Sequence, residues 1–94
     1  MIPKNRQPNH PGEILDEEFL KPLGMTQGKL AEEMGVTVQT VNLLVNGRRS
    51  VTADTAVALA EVFDTTPEFW MNLQTGLDLW IATRERKVNG LRNA

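Results

Sequence analysis

Residues 26–49 have the sequence TQGKLAEEMGVTVQTVNLLVNGRR, and this stretch decides the fold. Apolar residues recur in it at intervals of three and four, which is the spacing of a buried helical face. Gly35 interrupts the pattern between its two halves. Each half is preceded by a threonine that can cap a helix, Thr26 before the first and Thr37 before the second. The stretch therefore predicts two short helices joined by a glycine turn, about Gln27 to Met34 and about Val38 to Val45.

The second of these helices is predicted to present one face to solvent. Val36, Val41 and Leu44 are expected to pack it against the first helix, while Ala31 allows the two backbones to approach closely. A helix held in this way fits the major groove of B-DNA, where each base pair displays a distinct pattern of donors and acceptors. The helix pair therefore indicates DNA binding, although the same apolar pattern also occurs in helical bundles that bind no nucleic acid.

Two groups of residues are candidates for DNA contacts. Amide side chains can form paired hydrogen bonds with adenine and aliphatic ones can pack on thymine methyl groups, so a bias toward A·T pairs is expected. The predicted base contacts come from Val38, Gln39, Thr40, Asn42 and Leu43. Cations and helix N-termini bind phosphates, which fix register without carrying sequence information. The predicted phosphate contacts come from Gln27, Lys29, Thr37, Arg48 and Arg49. For Gln39 and Asn42 the alternative is an ordinary solvated helix face.

Three further helices are predicted around this pair. The first runs from Pro11 to about Lys21, where Pro22 and Gly24 are expected to end it. A fourth helix, with Thr52 as its predicted cap, ends near Asp64. A fifth, with Thr66 as its predicted cap, covers about Pro67 to Arg86. No segment alternates with period two, so the predicted fold class is all-α with five helices.

The last predicted helix has the broadest apolar face of the chain. Phe69, Trp70 and Leu73 in its first half are assigned to the domain core. A chain of 94 residues buries a modest share of its surface and often gains stability by pairing. A homodimer is therefore expected, and its interface is predicted at Leu77, Trp80 and Ile81.

The composition excludes several kinds of site. The chain has no cysteine, which excludes disulfides, thiolate zinc sites, iron–sulfur clusters and cysteine nucleophiles. Its one histidine, His10, has no second ligand beside it and is expected to cap a helix or to lie at the surface, so no metal or cofactor is expected. The net charge of −2 is unusual for a DNA-binding protein, but the bases are concentrated at Arg48-Arg49 and at residues 84–92.

One domain, residues 11–94, is expected to follow a flexible N-terminal tail, residues 1–10, which contains Pro3 and Pro8. The sequence lacks the apolar run of a signal peptide or a membrane span, so a soluble cytoplasmic protein is expected. Acids are dense between residues 13 and 18, but no nucleophile with a base or phosphate-binding loop accompanies them. An enzyme is therefore not expected.

The pattern TQxxLAxxxGVxxxxVxxLxNG of residues 26–47 resembles the XRE class of phage-repressor helix-turn-helix proteins. Three flanking segments narrow the resemblance: HPGEIL with EFL in residues 10–20, NGRR with VTADTA in residues 46–56, and TPEFWMNLQ with DLW in residues 66–80. These segments are similar to HigA-type antitoxins, and the similarity covers about residues 10–80. The sequence departs from the common repressor pattern at Val38 and Leu43, where polar residues that contact bases are frequent.

That resemblance implies a lambda-repressor-like domain with an extended C-terminal helix. It also implies a homodimer on double-stranded operator DNA with an inverted repeat, repression of the protein's own operon, and neutralisation of a HigB-type mRNA endonuclease toxin. A stand-alone phage-type repressor without a toxin is the alternative. The acidic stripe of the first helix, comprising Glu13, Asp16, Glu17 and Glu18, is a candidate contact for a toxin with a basic surface.

Overall fold

Five helical segments form the part of the chain that the computed structural model describes, residues 7–93. They are α1, residues 11–23; α2, Gln27–Met34; α3, Val38–Val45; α4, Ala53–Phe63; and α5, Pro67–Asn93. Within α1, a wider π-helical segment, Leu15–Leu20, lies between Pro11–Ile14 and Lys21–Leu23. No residue from 7 to 93 is in a β-strand, so the predicted all-α class with five helices is confirmed.

Threonine side chains cap the helices where the sequence predicts them. Each hydroxyl accepts a hydrogen bond from the backbone N–H three residues further on, which satisfies a donor that the helix itself leaves free. The capping residues are Thr26, Thr37, Thr52 and Thr66, which accept from Lys29, Thr40, Thr55 and Phe69 at 3.0, 3.2, 3.4 and 3.2 Å.

The end of α1 differs from its prediction at Lys21. Pro22 lies inside the helix, which continues to Leu23. The turn before the proline is wide, because the Lys21 N–H donates to the carbonyl of Asp16, five residues back. A widened turn accommodates a proline that a regular α-helix would exclude. The chain leaves the helix at Gly24, whose positive φ of 63° is readily adopted by glycine.

The end of α5 also differs from its prediction, which was Arg86. The helix continues to Asn93, well beyond the last apolar residue of its stripe, Ile81. Arginine, lysine and glutamate, which fill residues 84–87, have good intrinsic helix propensity. The backbone therefore remains helical after the apolar face that marks a packed helix has ended.

The core lies between α1, the helix pair, α4 and the first half of α5. Leu15 of α1, Leu30 of α2, Leu44 of α3 and Leu59 of α4 are all fully buried in one cluster around Trp70. Two phenylalanines, Phe19 and Phe63, pack on this indole with ring centroids 5.1 and 6.3 Å from it. The indole N–H is satisfied as well, donating to Thr65 Oγ1 at 2.8 Å.

Gly12 allows the first turn of α1 to lie directly against the end of α3. A Cβ atom built on Gly12 would be 1.7 Å from the carbonyl oxygen of Leu44, which is backbone and cannot rotate away. Only glycine fits this contact. The start of α1 therefore supports the C-terminal end of α3 from behind.

Neither a membrane-spanning helix nor a metal cluster is found in the described part of the chain. No helix there is long and apolar enough to cross a bilayer. The same residues contain no group of three His, Cys, Asp or Glu side chains that could hold a metal ion.

Candidate nucleic-acid interface

The turn between α2 and α3 is built on Gly35. Its φ of 72° is left-handed, and the Val36 N–H donates to the Ala31 carbonyl at 3.0 Å, which closes the end of α2. The prediction for Val36 is wrong: 37% of this residue is exposed, and it is absent from the core cluster. Val36 points away because it belongs to the turn itself, whereas Val41 and Leu44 are buried and hold α3 in place.

The face of α3 opposite Val41 and Leu44 is open to solvent. Gln39 and Asn42 are exposed, and Val38 is 54% exposed although it is aliphatic. The other two residues predicted to contact bases, Thr40 and Leu43, are half-buried at the edges of this face. All five therefore lie on or beside one helical surface of the size that a major groove accepts.

A chain of side-chain amides crosses this surface. Asn42 Nδ2 donates to Gln27 Oε1 at 3.2 Å, and Asn46 Nδ2 donates to Asn42 Oδ1 at 3.2 Å. Gln27 lies at the start of α2, so the Asn42 amide is oriented from a second helix as well as its own. Each bond occupies one hydrogen-bonding site of Asn42 and leaves one N–H and one lone pair for another partner. The sequence predicts a phosphate contact for Gln27 and a base contact for Asn42. It does not indicate that these two side chains are hydrogen-bonded to each other.

The residues predicted to bind phosphates lie in α2, at the start of α3 and in the loop after α3. Thr37 caps α3, and its hydroxyl lies 2.9 Å from that of Thr40. Lys29 is exposed and its Nζ is 3.5 Å from Glu33 Oε1. Because an exposed ion pair contributes little, a phosphate could displace the carboxylate. Arg48 and Arg49 are exposed in the loop that follows α3.

Gln74 of α5 is hydrogen-bonded to this loop. The sequence alone did not lead us to assign it a role. Its Oε1 accepts from the Val51 N–H at 2.8 Å. At the other end of the loop, the Arg48 N–H donates to the Leu43 carbonyl at 2.9 Å. A polar residue inside an otherwise apolar helical stripe was the available signal, since such a residue needs a partner when buried.

Comparison with known proteins identifies the family. The helix-turn-helix family model matches residues 17–70 of the chain. Antitoxin HigA-1 of Vibrio cholerae is 49% identical over 81 residues, which cover 86% of this chain and 75% of that protein. The chain belongs to the HigA-type helix-turn-helix antitoxins.

Solved structures of HigA-type antitoxins have the same fold. Antitoxin GraA superimposes with a TM-score of 0.88 and 43% identity, covering 96% of this chain and 97% of that one. The structure of Pseudomonas aeruginosa antitoxin HigA with higBA promoter gives a TM-score of 0.84 and 40% identity, covering 88% and 90%. The resemblance inferred from the sequence motifs, including the helix-turn-helix class, is confirmed.

His10, the first residue of the HPGEIL segment that resembles HigA-type antitoxins, is a helix cap. Its Nδ1 accepts from the Gly12 N–H at 2.9 Å. The sequence predicted either a helix cap or a surface position for His10, and the structure shows the cap. The ring also lies beside Gly47, in the turn that ends α3. Burial lowers the pKa of His10 below its ordinary value, and the charges of Asp78 and Glu13 oppose that shift. The neutral ring is therefore the form that supports both α1 and the α3 turn.

The second half of α5 contains the residues predicted for the dimer interface of this HigA-type chain. Ile81 is 37% exposed and Leu79 is exposed, while Trp80 is half-buried with the Arg84 guanidinium carbon 4.9 Å from its ring centroid. Leu77 has a different environment, because only 5% of it is exposed in the single chain. Leu79 and Ile81 therefore leave apolar surface uncovered on different sides of α5, since residues two positions apart do not share a helical face. Leu77 mainly supports the core of its own chain.

The acidic stripe of α1 is partly neutralised within the HigA-type fold. Lys21 Nζ lies 2.6 Å from Glu17 Oε1 and 3.6 Å from Asp16 Oδ2. The hydrogen bond to Glu17 and the nearby charge of Asp16 raise the pKa of Lys21. Glu13 and Glu18 are exposed. The stripe remains a candidate toxin contact, with less net charge than its four acids alone would carry.

Proposed function

We propose that this chain is a cytoplasmic, non-catalytic antitoxin that binds operator DNA as a homodimer, represses its own operon and neutralises a HigB-type mRNA endonuclease. The observation that carries the proposal is the exposed face of α3, with Gln39 and Asn42 outermost and the Arg48-Arg49 loop beside it. The structure of a similar protein, Pseudomonas aeruginosa antitoxin HigA with higBA promoter, supports DNA binding by this chain.

Within the proposal, α3 enters the major groove. Gln39 and Asn42 donate to and accept from adenine, and Val38 and Leu43 pack on thymine methyl groups. Thr40 lines the same face. Phosphates are held by Gln27, Lys29, Thr37, Arg48 and Arg49, whose contacts give affinity and orientation without sequence preference.

A dimer with two-fold symmetry would place two α3 helices in successive major grooves, about 34 Å apart. This spacing requires an operator with an inverted repeat. Trp80 and Ile81, together with Leu79, supply the uncovered apolar side chains for such a dimer. The contribution of Leu77, which is buried in its own protomer, is to hold this part of α5 in place.

Binding to the protein's own promoter is the direct test of the DNA-binding role. Fluorescence anisotropy with a duplex from the region upstream of the gene is expected to show binding at least about 1000-fold tighter than with an unrelated duplex of equal length at the same salt concentration. Equal affinity for the two duplexes would contradict sequence-specific repression.

The antitoxin role is tested separately by co-expression with the adjacent reading frame. The expected result is co-purification of a small basic protein that arrests growth when expressed alone and does not arrest it with this chain. Specific promoter binding without any such partner would favour the stand-alone repressor instead.

A further inference from the structure

Gln74 is the one buried polar side chain among residues 7–87, with 4% of it exposed. Its amide oxygen accepts from the Val51 N–H at 2.8 Å, and its amide nitrogen donates to Asp78 Oδ1 at 2.9 Å. Both ends of the amide are therefore used. One bond stays within α5, and the other reaches the loop between α3 and α4.

Asp78 and the Val51 N–H together determine which end of the Gln74 amide faces the loop. A carboxylate only accepts hydrogen bonds, so it bonds the NH₂ group and leaves the oxygen for the Val51 N–H. Asp78 is one helical turn beyond Gln74 on α5, which keeps the pair aligned. The orientation of the amide is thus set by one partner in α5 and one in the loop.

The loop of residues 46–52 is fastened at two points. Its first point is the bond from the Arg48 N–H to the Leu43 carbonyl at 2.9 Å. Its second is Val51, whose side chain is buried in the core and whose N–H is bonded to Gln74. The exposed side chain of Arg49 lies between these two points, and that of Arg48 extends from the first.

We infer that Gln74 is a positioning residue that holds the Arg48-Arg49 loop where its arginines meet DNA phosphates. The inference rests on the proposed function, since it concerns how the same interface is assembled. It gives α5 two roles. The helix with the predicted dimer contacts also fixes the position of the Arg48-Arg49 loop in its own protomer.

Four variants separate the hydrogen bonds of Gln74 from its packing. Gln74→Met removes both bonds at similar volume, and Gln74→Glu removes the donor that faces Asp78. The double variant Gln74→Glu with Asp78→Asn restores both bonds with one reversed, because the new carboxylate accepts from Val51 and from the new amide. Gln74→Ala also removes both bonds, and it adds no volume that could clash.

The salt dependence of DNA binding reports the position of the arginines. It is measured with the promoter duplex and with an unrelated duplex, at temperatures where circular dichroism shows each variant folded. Gln74→Met is expected to lower the slope of log K against log salt by about 0.9 for each phosphate that the arginines no longer reach. Gln74→Glu keeps an acceptor for Val51 but places a second carboxylate beside Asp78, so it should lower the slope less than Gln74→Met does. The double variant should recover the wild-type slope. The hydrogen exchange of the Val51 amide should accelerate and recover in the same order.

Faster Val51 exchange with an unchanged slope would overturn the inference, because Gln74 would then be structural only. If Gln74→Met does not fold, Gln74→Ala decides: a lower slope supports the positioning role and an unchanged slope overturns it. If the wild-type chain binds both duplexes equally, the proposed operator function fails, yet the slope on unrelated DNA still tests Gln74. Absence of any DNA binding overturns both.

Discussion

Gln39 and Arg48 have different predicted roles at the DNA surface. Gln39 is exposed on α3 and should contact a base, whereas Arg48 is exposed in the following loop and should contact a phosphate. Gln39→Ala is expected to cost about 1–3 kcal/mol on the operator and little on unrelated DNA. Arg48→Ala should weaken binding to both and lower the salt slope by about 0.9. Titrations at several salt concentrations measure both effects, and equal losses on both duplexes for Gln39→Ala would contradict its assigned role.

Gly12 and Gly76 form a matched pair for testing the contact between α1 and α3. Gly12→Ala should destabilise the fold by at least about 1–3 kcal/mol, because its Cβ would meet the Leu44 carbonyl oxygen. Gly76→Ala adds the same methyl group in α5, where no heavy atom lies within 4 Å apart from its chain neighbours and the nearby backbone of its own helix. It should stabilise the helix by about 0.5–1 kcal/mol. Urea denaturation gives both values, and similar stabilities for the two variants would rule out the tight contact.

Among the helices, α1 is predicted to lose its cap in acid. Because burial lowers the pKa of His10 below 6.5, the unfolded chain takes up the proton first as the pH falls. The free energy of unfolding should therefore be fully maintained above pH 6.5 and decrease below it. Protonation at Nδ1 would also remove the acceptor for the Gly12 N–H.

His10→Asn keeps a capping acceptor that does not titrate and is the control for this effect. Urea denaturation between about pH 7.5 and pH 5, above the range where carboxylates titrate, measures the comparison. The wild-type chain should lose more stability than the variant over this range. Parallel curves would show that another group is responsible.

The helices also show where local sequence signals are sufficient and where they fail. The starts of α2 to α5 were predictable, because a capping threonine and the N–H from which its hydroxyl accepts lie within four consecutive residues. The ends of α1 and α5 were not. Pro22 usually stops a helix, but the π-helical segment before it admits a proline. Beyond Ile81 the apolar stripe ends while residues with helix propensity continue, so periodicity underestimates the length of α5.

For the whole molecule, association through α5 is the principal prediction. Ile81→Glu should convert the dimer to a monomer at micromolar concentration and weaken operator binding in parallel, because a charge would enter the proposed apolar interface. Val57→Glu is the control, since Val57 is also an exposed aliphatic residue but lies on α4. Light scattering after size-exclusion chromatography measures the mass. A dimer that survives Ile81→Glu would place the interface elsewhere.

The candidate site was predictable in outline because α3 and its exposed face follow from the spacing of Val41 and Leu44. Its internal bonds were not predictable. Gln27 reaches Asn42 across 15 positions of the sequence, and Gln74 reaches Val51 across 23. Such pairs exist only after the helices pack, so no local pattern encodes them.

The two tryptophans of the chain lie in different surroundings, which makes them intrinsic fluorescent reporters. Trp70 is fully enclosed by the core, so its emission should be at short wavelength and should shift to the red only when the domain unfolds. Trp80 is half-buried beneath Arg84, and its emission depends on what covers the second half of α5. A Trp80→Phe variant would isolate the Trp70 signal. The difference spectrum would then follow assembly and unfolding as separate optical events in the unlabelled protein.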